Sequence, residues 1–153
     1  MTTLAIDPGT EQSGWCVFDG ECVIGSGVKP NSEMLEWLKW NHFPVNGYGL
    51  AIEMIASYGM AVGKEVFETC VWIGRFKQAW HSPDAVQLVY RKDVKMHLCG
   101  TPRAKDANIR QAIIDQFGGK DKALGKKATP GPLYGVKSHA WPALAVALTV
   151  AAQ

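Results

Sequence analysis

What the sequence lacks narrows it first. No apolar run approaches the roughly 18 residues that a membrane-spanning helix needs, so no membrane segment is expected. The opening MTTLAIDPG has no basic stretch ahead of an apolar one, so a signal peptide is not expected either. The four cysteines, Cys16, Cys22, Cys70 and Cys99, form no C-x-x-C pair, and no histidine stands at zinc-finger spacing from them. A zinc ribbon is thereby excluded, and reduced, mostly buried thiols in a cytoplasmic protein are the expectation. There is no internal repeat. Acidic side chains are scarce between residues 91 and 137, which hold only four of the 14 Asp/Glu but eleven of the 16 Lys/Arg. A net charge of +2 hides that asymmetry. It suits either a solvated basic face or a polyanionic partner.

What is present is enough apolar material for one ordinary domain spanning 1–153: 153 residues, 47% hydrophobic. Six tryptophans are many for this length, and some of them are expected at a surface that meets a partner. TTLAID (2–7) reads as a buried strand stopped by Pro-Gly, and GWCVFDG (14–20) and ECVIGSGV (21–28) complete a three-stranded meander with its turn at Asp19-Gly20. NSEMLEWLKWNHF (31–43) reads as a helix, with Asn31 or Ser32 as cap and Met34, Leu35, Trp37 and Leu38 as its apolar face. YGLAIEMI (48–55) is a second buried strand. Residues 62–80 follow as a helix on which Val62, Val66, Cys70 and Ile73 step by three and four. A strand at 85–90, a short helix at 91–98 and a helix at 104–118 come next. Residues 118–137, with five Gly, two Pro and five Lys, read as a mobile basic loop. The last helix, 138–153, has Ser138 at its cap and Pro142 in its first turn, where the missing N–H breaks no intrahelical bond. A meander followed by βα units is an α/β arrangement: a mixed sheet with helices on both faces.

Two of the buried strands carry one acid each, late in the run: Asp7 and Glu53. Were these strands neighbours, the two carboxylates would converge, and burying unpaired charge is costly enough to require a cation. Mg²⁺ or Mn²⁺ suits carboxylate oxygen and leaves coordination positions for water and phosphate. His139, at the head of the last helix, could supply a third ligand. Each residue also has a plainer reading: Asp7 as a turn starter, Glu53 as an isolated strand acid, His139 as a solvated residue.

LAIDPGTEQSGWCVFD, LAIEMI, VKMHLCGTPRAKDANIRQAI and SHAWPALAVAL, in that order, resemble the RuvC family of Holliday-junction resolvases in a bacteriophage-like form. The resemblance implies a ribonuclease-H-like fold, a five-stranded mixed sheet of antiparallel meander plus parallel strands flanked by helices. It also implies a homodimeric endonuclease that cuts four-way DNA with divalent metal, in the cytoplasm of a bacterial host. On this likeness Asp7 matches the first-strand aspartate, Glu53 the glutamate of the IE strand, and His139 the Asp or His that opens the last helix. Asp7 would then bridge two ions roughly 4 Å apart, with Glu53 and His139 each holding one. Lys95 and Lys105 fall near lysines that lie close to the cut phosphate. Pro142 stands where relatives have a further Asp, a loss for which Asp106 compensates only if its helix swings close.

Branched DNA is the expected partner. Arg91, Lys92, Lys95, Arg103, Lys105, Lys120, Lys122, Lys126, Lys127 and Lys137 would track phosphates, in a salt-sensitive manner. Tyr58 either stacks on unpaired bases or caps the core. Helix 62–80 is the expected dimer seam, through Val66, Phe67, Cys70, Val71 and Trp72. DPGTEQSG also resembles the phosphate loop of actin-like ATPases and sugar kinases, but 153 residues cannot form their two lobes, so no nucleotide cofactor is expected. A YqgF-type RNA-processing nuclease and a non-catalytic branched-DNA binder are the remaining alternatives.

Overall fold

The computed structural model describes residues 1–40, 43, 44 and 46–153. Its centre is a five-stranded sheet in the order β3-β2-β1-β4-β5, formed by β1 (Thr2–Asp7), β2 (Gln12–Phe18), β3 (Val23–Pro30), β4 (Tyr48–Met54) and β5 (Gln87–Tyr90). The first three strands are antiparallel neighbours, whereas β4 runs parallel to β1 and β5 parallel to β4. This is the five-stranded mixed sheet, antiparallel meander plus parallel strands, expected from the sequence. The meander lies where anticipated, but β2 begins two residues early and β3 two residues late.

Alternation along the strands sorts the side chains onto two faces. Leu4, Ile6, Leu50 and Ile52 point to one of them. There they meet Met34, Leu35 and Leu38 of α1 (Asn31–Trp40), and Ile73 and Phe76 of α2 (Lys64–Ala79). The part of the expected first helix at 41 and 42 lies outside the described residues. The opposite face carries a row of small residues in register across three strands, Cys16, Ala5 and Ala51. On that row lies α6 (Ala140–Ala151), itself rich in alanine, with Ala140, Trp141 and Ala143 to Thr149 all buried. Small residues on both sides let backbone approach backbone. α3 (Arg91–Cys99) and α4 (Asp106–Gln116) pack beside α6 through Val94, Ile109, Ile113 and Ile114.

Several expectations need correction. The buried face of α2 is Thr69, Ile73 and Phe76, followed by Trp80, rather than the row from Val62 to Ile73. Phe67 and Val71 are left exposed. The basic segment 118–137 is not simply a mobile loop: it contains α5 (Lys120–Ala123) and a two-stranded hairpin of β6 (Gly125–Lys126) and β7 (Thr129–Pro130). Burial of Ala123, Leu133 and Val136 anchors it. Ser138 does not cap α6; its backbone is left-handed (φ 49°), and the helix starts after His139, with no side-chain cap bond. Only Cys16 of the four free thiols is buried, and burial pushes it up to about 12. Among the tryptophans Trp40 alone is largely exposed, while Trp80 and Trp141 are buried. Among the described residues no helix is long and apolar enough to cross a membrane.

Candidate active site

The parallel register of β1 and β4 ends at Ile6 opposite Ile52, so Asp7 and Glu53 are the next pair on adjacent strands. Strands lie about 4.8 Å apart, and both acids leave the sheet on the side of Ala5, Ala51 and α6. Glu53 is only 5% exposed. Burial raises both carboxylates. Asp7 is pushed up to about 7, by burial first and then by the negative charges of Glu53 and Asp106, with Arg91 opposing. For Glu53, burial is offset by Arg91, while Asp106 raises and Lys95 lowers it.

The chain after Asp7 is shaped by a buried neutral network. Gly9 N donates to Ser13 Oγ (3.2 Å), Ser13 Oγ donates to Asn31 Oδ1 (2.6 Å), and Asn31 Nδ2 donates back to the Gly9 carbonyl (2.8 Å). The Asn31 backbone N–H donates to the Glu11 carbonyl at 2.8 Å. The Pro-Gly turn is therefore locked from beneath. Gly14, the β2 partner of Asp7, matters for its lack of a side chain. A Cβ there would overlap the His139 carbonyl, so glycine lets the head of α6 settle against the rim beside Asp7.

Around Glu53 the partners are charged. Arg91 donates through Nη1 to Glu53 Oε1 (3.2 Å) and through Nη2 to Asp106 Oδ1. Asp106 is thus brought to the site by the first turn of α4. Two clefts open on this rim. One of about 700 Å³ is lined by Glu53, Arg91, Asp106, Arg110, Trp141 and His139, among others. One of about 520 Å³ is lined by Asp7, the turn after it, and again His139.

Asp7, Glu53, Arg91 and Asp106 form one electrostatic group, with Lys95 within range of Glu53 and exposed His139 bordering both clefts. Lys105 sits at the N-cap of α4, next to Asp106, and is exposed. Tyr58 is not a cap over the core: it is 57% exposed, in a left-handed conformation (φ 48°), with Lys92 Nζ 6.0 Å from its ring. Lys126 and Lys127 ride on the β6–β7 hairpin, and Arg103 and Lys137 are exposed. Arg91, expected as a phosphate contact, pairs here with the carboxylates of Glu53 and Asp106. Its place follows from the register of β5 on β4, since it stands two residues beyond the Val89 that pairs with Glu53, and the sequence alone does not show that register.

The donor types fit a hard divalent cation, which Asp7 and Glu53 would hold, with His139 and Asp106 on the same rim. Among the described residues no three His, Cys, Asp or Glu side chains converge on one point. The positive charge beside Glu53 is at present a guanidinium.

No family model matches the chain, and no curated protein matches it in sequence. Solved structures do. RuvC of Thermus thermophilus superimposes with a TM-score of 0.67 at 19% identity, over 97% of this chain and 92% of that one. The same organism's RuvC in complex with a Holliday junction substrate gives 0.65 at 19% identity, with the same coverage. In fold, this chain is RuvC-like along nearly its whole length.

Proposed function

We propose that this protein is a metal-dependent endonuclease that resolves four-way or otherwise branched DNA by paired phosphodiester hydrolysis, leaving 5′-phosphate and 3′-hydroxyl ends. The observation that carries this reading is the convergence of Asp7 and Glu53, two carboxylates raised by burial, on an open rim of the RuvC-like sheet. The T. thermophilus relative in complex with a Holliday junction supports the choice of substrate. Asp7 and Glu53 would hold Mg²⁺ or Mn²⁺, two ions per site, with His139 as third ligand. When bound, such ions polarise the phosphodiester and make water nucleophilic at neutral pH.

The chain's own residues do the rest. The locked turn after Asp7 keeps its carboxylate in place, so little reorganisation is needed at reaction. Lys95, close to Glu53, and Lys105, at the head of α4, offer positive charge to the phosphate as negative charge accumulates on it. Lys92, Arg103, Lys126, Lys127 and Lys137 guide the sugar-phosphate backbone toward the clefts. Exposed Tyr58 offers a stacking platform for a base unpaired at the branch point. The outward Phe67 and Val71 of α2 support pairing of two copies, and a two-fold dimer suits symmetric incision.

The test is cleavage of a four-way DNA junction in Mg²⁺ or Mn²⁺, against a structured RNA control. Asp7→Asn should lower cleavage by about a hundredfold to a thousandfold and leave junction binding intact. Loss of both cleavage and binding, or tight binding by the wild type with no metal-dependent cutting, would overturn the reading.

A further inference from the structure

Arg91 stands 3.2 Å from Glu53 Oε1, an oxygen that a bound cation would also use. Resting on the metal-dependent reading above, we propose that Arg91 is a built-in competitor for the divalent ion, and that Asp106 is the anchor that keeps this competition mild. Both are positioning residues for the metal site.

A carboxylate as buried as Glu53 needs a positive neighbour, and Arg91 is the group that supplies it. Arginine stays charged at any accessible pH, so it cannot be switched off by deprotonation and has to be displaced. The geometry makes displacement feasible. Arg91 touches Glu53 through one nitrogen only, at 3.2 Å, and Asp106 through the other. It can therefore release Glu53 without losing Asp106, turning into the 700 Å³ cleft that it lines. Asp106 is 74% exposed and sits at the N-terminus of α4, so it holds the guanidinium at the mouth of the site. Without Asp106 the guanidinium would settle wholly on Glu53. On this view Asp106 acts on the metal through Arg91, and not as a ligand in the place that Pro142 leaves without a carboxylate.

Mn²⁺ binding without DNA, followed by calorimetry and by the paramagnetic signal of the free ion, tests this in a double-mutant cycle. Arg91→Gln should tighten Mn²⁺ binding by about five- to tenfold, in the range of ordinary site-to-site couplings. Asp106→Asn should weaken it by about fivefold in the wild-type background and leave it unchanged in the Arg91→Gln background. A gain in affinity is not what a residue with a merely structural role would give. Should Arg91→Gln fail to fold, Arg91→Met carries the test, because it keeps the apolar stem and removes the charge, and tighter binding is again expected. Unchanged or weaker binding in the Arg91 variants overturns the proposal, as does equal weakening by Asp106→Asn in both backgrounds. If Mn²⁺ binds the wild type, is lost in Glu53→Gln and ignores Arg91, the competition fails and the metal reading stands. If Mn²⁺ binds none of these forms, both fail.

Discussion

Asp7 and Glu53 stand side by side on neighbouring strands, yet they are held in opposite ways. Behind Asp7 lies a neutral network in which Ser13 and Asn31, both almost fully buried, tie the turn to the start of α1. Beside Glu53 the polar partners are charges: Arg91, Asp106 and Lys95. A buried neutral network cannot rearrange without leaving donors unpaired, so it fixes geometry. The Asp106 arm of this group is open to solvent, and exposed ion pairs exchange partners at little cost. One half of the site is a fixed post, and the other can adjust to what arrives.

The sharpest way to break the fixed half is Gly14→Ala. The added methyl meets the His139 carbonyl, which is backbone and cannot rotate away. We expect a loss of about 3 kcal/mol, or roughly 6–12 °C in Tm, and an unaltered melting curve would show that α6 sits less tightly than described. Asn31→Ala comes next: it leaves the Ser13 hydroxyl and the Gly9 carbonyl without their partner, at about 1–3 kcal/mol. Chemical denaturation measures this, and a change within error would remove the network from the account.

A smaller effect follows from pH. Asp7 in the fold protonates near 7, above its ordinary 3.8, because burial and then Glu53 disfavour its charge. At Asp7 the folded state therefore binds more protons than the unfolded chain between these values, and the contribution of this residue to metal-free stability is greatest on the acid side and is lost as pH rises through about 7. Melting in a chelator should drop by several degrees between about pH 5 and about pH 8, less so in Asp7→Asn, and be restored by Mg²⁺ at the higher pH. Equal drops in wild type and variant would place the effect elsewhere. The smallest effect belongs to the adjustable half: Asp106→Asn, at a 74% exposed side chain, should change stability by less than about 1 kcal/mol. A loss as large as that of Asn31→Ala would erase the distinction between the two halves.

Much of this was legible in the chain, and the reasons differ from element to element. An apolar run that stops on an acid is a local pattern, so β1 with Asp7 and β4 with Glu53 could be read directly, as could α6 from its alanine-rich run. The pairing of Arg91 with Glu53 could not, because it depends on β5 lying beside β4 with Val89 opposite Glu53. The inward face of α2 is hidden in the sequence because Val62 and Val66 look like core, whereas the helix begins only at Lys64 and turns Thr69, Ile73 and Phe76 to the sheet. The order within the basic segment was hidden by its glycines and lysines. It comes from three apolar anchors, Ala123, Leu133 and Val136, whose partners are distant in sequence. Ser138 has the composition of a cap but a left-handed backbone that no composition rule shows.

The tight seating of α6 on the row of Cys16, Ala5 and Ala51 reaches further than the core. A longer side chain at any of these three positions would act as a wedge under the helix, lifting its head and carrying His139 off the rim. Residues with no polar atom near the clefts thus set the alignment of the chemistry above them, and drift in the packing layer would be felt first as a site gone out of true.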